Sequence, residues 1–93
     1  MLTIRQQLIA LLSEGEYGVR DLSQMLGIPE KEVYPHLSHI ARSVASKKRK
    51  LKIEPARCFE CGFVFEERKR FTKPSRCPRC KGERIEAPRY KIV

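Results

Sequence analysis

The first half of the chain carries apolar residues at helical spacing. Ile4, Leu8, Leu11 and Leu12 follow Thr3, and Gln6, three residues after that threonine, completes a capping-box pattern. A first helix is predicted, ending at Ser13-Glu14-Gly15. Val19, Leu22, Met25 and Leu26 repeat the spacing over a shorter stretch, which Gly27 closes by taking the left-handed conformation. Beyond the Gly27-Ile28-Pro29 turn, Val33, Leu37, Ile40 and Val44 fall within about 60° of one another on a helical wheel. A third helix burying that stripe follows. Pro35 sets its start near Glu30 or Glu32, because proline is tolerated only in the first turn or so.

After Val44 the period changes. Leu51 and Ile53 alternate with Lys52 and Glu54 as in a half-buried strand, and Pro55 ends the run. Arg84 to Ile92 has similar alternation, with an Ile-Glu pair near a proline as at Ile53-Glu54-Pro55. The two segments are expected to pair as antiparallel neighbours, with the residues between them inserted at the hairpin tip.

Ninety-three residues suffice for one small domain or two very small modules, and leave little room for a deep substrate cleft. No paired carboxylates, glycine-rich phosphate loop or Ser/His/Asp set can be assembled, so no enzyme activity is expected. The apolar stretch near Leu8 to Leu12 is far short of a membrane span, and Met1 to Arg5 lacks the pattern of an export signal. A cytoplasmic protein without a membrane partner is expected.

Charge sharpens this picture. The formal net charge is +9, yet residues 1–46 hold four basic and five acidic side chains, while residues 47–93 hold sixteen basic and six acidic ones. All the excess is C-terminal, an asymmetry that points to a polyanionic partner.

Cys58, Cys61, Cys77 and Cys80 form two C-x2-C pairs separated by fifteen residues, a spacing read as one four-thiolate metal site. Gly62 and Gly82 supply the glycines expected at positive φ in the two turns, and Pro78 stiffens the second. An insert this short buries little apolar surface, whereas structural zinc contributes on the order of 10 kcal/mol of folding energy. Four thiolates close a tetrahedral ion, so the expected role is structural, with one Zn²⁺ favoured over iron. Disulfides or a redox C-x-x-C fit less well without an oxidising compartment or a βαβ context. Phe59, Phe63, Phe65 and Phe71 crowd the insert and are expected to pack over the metal site rather than stack on bases. Four thiolates and one divalent ion lower the formal charge to +7, so the basic excess survives.

Three helices with a tight Gly27-Ile28 turn before the third, then a two-stranded hairpin, follow the order of a winged helix-turn-helix. With Cys58-Phe59-Glu60-Cys61-Gly62 and Cys77-Pro78-Arg79-Cys80-Lys81-Gly82 inside the wing, the chain resembles predicted prokaryotic transcriptional regulators that fuse such a domain to a rubredoxin-like zinc ribbon. The resemblance implies an α+β fold: a winged helix-turn-helix over residues 1–55, completed by a C-terminal wing strand at 84–93, with a zinc ribbon at 56–83. It also implies double-stranded DNA as the partner. On the third helix Lys31, Ser38, His39 and Arg42 point away from the buried stripe, where a recognition helix meets base edges or phosphates. His36 falls nearer the buried flank. Lys47, Lys48, Arg49, Lys50 and Lys52, then Arg68, Lys69, Arg70, Lys73, Arg76 and Arg79, are candidates for phosphate contact. Binding as a homodimer on paired half-sites is one arrangement such domains use. Glu30 and Glu32 open the third helix and disfavour phosphates there, which keeps a protein- or RNA-binding adaptor of the transcription machinery as the alternative.

Overall fold

The computed structural model describes residues 2–66 and 70–93. Its three helices are α1 (Ile4–Glu14), α2 (Val19–Leu26) and α3 (Glu30–Ala45). Its strands are β1 (Leu51–Glu54), β2 (Arg57–Cys58), β3 (Ile85–Glu86) and β4 (Arg89–Ile92). The start of α1 is capped reciprocally: the Gln6 N–H donates to Thr3 Oγ1 at 3.1 Å, and the Thr3 N–H donates to Gln6 Oε1 at 2.8 Å. Gly27, at φ 67°, closes α2 in the left-handed conformation.

Helix α3 buries Val33, Leu37, Ile40 and Val44. The helix starts at Glu30, as expected, which makes Pro35 its sixth residue, and the burial of the stripe on either side of Pro35 holds the helix together across the missing N–H. At the far end the Arg49 N–H donates to the Val44 carbonyl and the Lys48 N–H to the Ala45 carbonyl. These bonds form a Schellman cap with Lys48, at φ 60°, in the place usually held by glycine.

Strands β1 and β4 pair antiparallel in the register Leu51↔Ile92, Lys52↔Lys91, Ile53↔Tyr90 and Glu54↔Arg89. The expected partner of β1 is therefore only the last part of the Arg84–Ile92 segment. Ile85–Glu86 pairs instead with Arg57–Cys58. The ladder is interrupted at Pro55-Ala56 on one side and Ala87-Pro88 on the other. On β4's other edge, Tyr17 and Tyr90 exchange backbone bonds at 3.0 and 2.8 Å.

Two cores result. Leu8, Leu12, Val19, Leu22, the α3 stripe, Leu51, Tyr90 and Ile92 form the larger one. Ala56, Cys58, Cys77 and Ile85 form the smaller, with Phe63 and Phe65 packed against it as a T-shaped pair 5.0 Å apart. Two aromatics depart from expectation. Phe71 joins the larger core and meets the Tyr90 ring at 5.8 Å, and Phe59 is 64% exposed. Met25, expected on the buried side of α2, is 52% exposed, because the eight-residue helix buries only Val19 and Leu22 fully. Among the described residues no helix is long and apolar enough to cross a membrane.

Candidate metal centre

The smaller core is built around sulfur. In each C-x2-C turn the backbone closes on itself. The Gly62 N–H donates to the Cys58 carbonyl at 3.0 Å, and the Cys58 N–H donates to the Phe63 carbonyl at 2.8 Å. Likewise the Lys81 N–H donates to the Cys77 carbonyl at 2.9 Å, and the Cys77 N–H to the Gly82 carbonyl at 2.8 Å. Each turn requires one left-handed residue just after its second cysteine. Gly62 serves in the first at φ 78°, but in the second Lys81, at φ 65°, takes the place expected of Gly82. Gly82 serves space instead: a Cβ there would lie 1.7 Å from Glu60 Oε2, which an exposed side chain can relieve, and 3.3 Å from Cys80 Sγ, which a metal ligand relieves far less easily.

These turns bring Cys58, Cys61, Cys77 and Cys80 together with all four sulfurs within 4.8 Å of one another. Cys58 Sγ lies 3.5 Å from Cys80 Sγ, and Cys61 Sγ lies 3.6 Å from Cys77 Sγ. A tetrahedral ion with metal–sulfur bonds of about 2.3 Å sets its ligands about 3.8 Å apart, so the cluster has the dimensions of such a cage. All four are free thiols rather than disulfides.

The electrostatics of the four thiols favour a cation. Burial pushes the Cys77 thiol up, but the backbone N–H groups of Cys80 and Arg79, with the neighbouring thiols, outweigh it and hold Cys77 at about 7. At Cys80 the Gly82 N–H favours the thiolate, yet the Cys58 thiol, burial and the other two cysteines raise it to about 12. Cys61 is also raised; a backbone bond at Phe63 opposes the shift, while burial and the thiols of Cys77 and Cys58 drive it. A divalent ion among the sulfurs removes this conflict by favouring the thiolate at every position. Among the described residues this is the one cluster of metal-ligand type.

The candidate nucleic-acid residues lie elsewhere. Lys31, Ser38, His39 and Arg42 are exposed along α3, and Ser38 Oγ donates to the Tyr34 carbonyl at 3.4 Å. His36 is half-buried and accepts a hydrogen bond from Arg5 Nε at 3.2 Å, as its place on the flank of the stripe suggests. Lys47, Lys48, Arg49 and Lys50 are exposed in the turn between α3 and β1, with Lys52 exposed on β1 itself. Arg70, Lys73, Arg76 and Arg79 are exposed in the insert, and Arg68 and Lys69 lie outside the described residues. Lys91, absent from the sequence-based candidates, stands directly opposite Lys52. The only signal for it was strand alternation, which gives a face but no partner.

Residues 3–52 match the family model described as PF0610-like, N-terminal, and residues 55–93 match that of the PF0610 rubredoxin-like zinc beta-ribbon domain. The chain is similar to the solution NMR structure of protein PF0610 from Pyrococcus furiosus, with 38% sequence identity and a TM-score of 0.80, over 97% of this chain and 88% of that one. No curated protein matches. With both halves matched and the thiolate cage in place, the chain belongs to the PF0610-like family and carries that family's rubredoxin-like zinc ribbon.

Proposed function

We propose that this protein is a cytoplasmic, non-enzymatic DNA-binding transcriptional regulator, a winged helix-turn-helix whose wing is extended by the ribbon and held by one structural zinc. The order Tyr17–β4–β1 beneath three helices supports the winged-helix reading. One observation carries the DNA reading: α3 spends its whole apolar stripe on the core while Lys31, Ser38, His39 and Arg42 remain exposed on the helix after the Gly27 turn. The third helix would supply sequence preference and the basic C-terminal half would supply salt-sensitive affinity. The structural role given to zinc rests on four protein sulfurs, which leave no open coordination position for substrate.

Duplex binding at two salt concentrations tests this reading. The native chain should bind with a steep salt dependence, and Arg42→Ala should weaken it. Replacing Lys47 to Lys50 with glutamine should make the salt slope shallower. Undetectable duplex binding at low salt would overturn the proposal. Exposed Glu30 and Glu32 on the first turn of α3 favour the second reading, a protein-binding adaptor of the same fold, and that reading then takes its place.

A further inference from the structure

Cross-strand neighbours at the root of the wing follow one rule with one exception. Glu54 faces Arg89 and Arg57 faces Glu86, so these charged partners have opposite sign. Lys52 faces Lys91. Directly opposed side chains in an antiparallel pair have Cβ atoms about 5 Å apart, a separation at which like charges destabilise the sheet. Both lysines are exposed, because Leu51, Tyr90 and Ile92 take the inward positions of the same ladder. Lys50 continues the row: its backbone exchanges hydrogen bonds with Val93 at 3.0 and 2.9 Å, which places it two residues before Lys52 on the same face. Arg89 shares this face at the other end, 3.7 Å from Glu16.

A second departure from local preference adjoins the first. Lys48 holds the left-handed cap of α3 at φ 60°, where a side chain is strained and glycine is not. Thus two locally unfavourable choices involve lysine near the start of β1: Lys48 in the turn after α3, and Lys52 on the strand itself, opposite Lys91 on β4. Sequences break local rules in this way where function requires it.

We propose that the solvent face of β1 and β4, centred on Lys52 and Lys91 and continued by Lys50, is a phosphate-binding surface for the backbone of duplex DNA. This inference rests on the DNA-binding reading and deepens it: contact is made by the face of the paired strands as well as by α3. A phosphate oxygen between two opposed ammonium groups turns their repulsion into shared attraction, so the unfavourable pair is relieved only in the complex.

The experiment compares the zinc-loaded full chain with Lys52→Gln/Lys91→Gln, and with Lys91→Glu, which creates a complementary pair with Lys52. Duplex affinity is measured across a salt series and thermal midpoints are recorded in parallel. The double variant should lose roughly tenfold in affinity at low salt, with its salt slope shallower by about 0.9, the value for one shared phosphate contact. Lys91→Glu should bind more weakly still, while its midpoint stays level or rises by about 1–3 °C as the like-charge pair disappears. An unchanged slope in the double variant, with native binding intact, overturns this inference and leaves the DNA reading standing. Unchanged slope with new aggregation does the same, and assigns the lysines to guarding an open strand edge. A lowered midpoint in both variants also overturns it, since the pair would then be stabilising. No duplex binding by the native chain overturns both readings together.

Discussion

Gly62 and Lys81 occupy equivalent positions in the two cysteine turns, each following the second cysteine of its pair, at φ 78° and 65°. The same backbone is thus adopted once by the residue best suited to it and once by a residue that resists it. Lys81→Gly should stabilise the metal-loaded protein by about 1 kcal/mol, and Gly62→Ala should cost about the same. Denaturant unfolding of the two variants at saturating zinc checks the opposed signs, since nothing lies within 4 Å of a Cβ at position 62 and strain alone acts there.

Metal removal should separate the two cores. Chelation, or Cys77→Ser, should unfold the ribbon, whose core holds four buried residues, while α1, α2 and α3 keep their helical signal. Circular dichroism should change little in the helical bands, and amide exchange in residues 56–66 and 77–86 should rise sharply. Elemental analysis of the purified protein identifies the ion, with one zinc per chain expected.

Metal affinity should depend steeply on pH. Cys80, at about 12, and Cys61, also raised, carry protons at neutral pH in the metal-free cluster, and both protons leave when the thiolates bind. The logarithm of the apparent affinity should therefore rise by at least two per pH unit just above neutrality. Below about 7 Cys77 is protonated as well and adds one more, so affinity falls faster as pH falls. Competition with a chelator of known proton linkage, from pH 6 to 8, measures both slopes.

Tyr90 ties the ribbon to the helices. Its ring is fully buried, its backbone pairs with Tyr17, and its hydroxyl donates to the Phe71 carbonyl. Tyr90→Phe keeps the packing and orphans that carbonyl, at a cost of about 1–2 kcal/mol. A thermal midpoint lowered without loss of metal is the expected outcome.

Pro35 offers the reverse case. It is exposed in the second turn of α3, where its missing N–H leaves the Lys31 carbonyl without its helical donor. Pro35→Ala should stabilise the protein by about 1–2 kcal/mol, less than the full helix-interior penalty because proline also restricts the unfolded chain. Urea midpoints of the two proteins decide it.

Hydrophobic period and cysteine spacing determined most of this architecture without any structure. The caps at Thr3 and Gly27, the buried stripe Val33-Leu37-Ile40-Val44 and the four metal ligands are local patterns, each written within a few residues or in one repeated motif. Tertiary structure decided what depends on pairing across long separations. It set Tyr17 against Tyr90, split Ile85–Glu86 from Arg89–Ile92, sent Phe71 to one core and left Phe59 outside both, and put Lys52 opposite Lys91. Strand alternation states which face a side chain takes. Which residue stands across from it depends on register, which keeps one alignment on both sides of the two prolines, Glu54↔Arg89 and Arg57↔Glu86, and is held by the packing of the two cores.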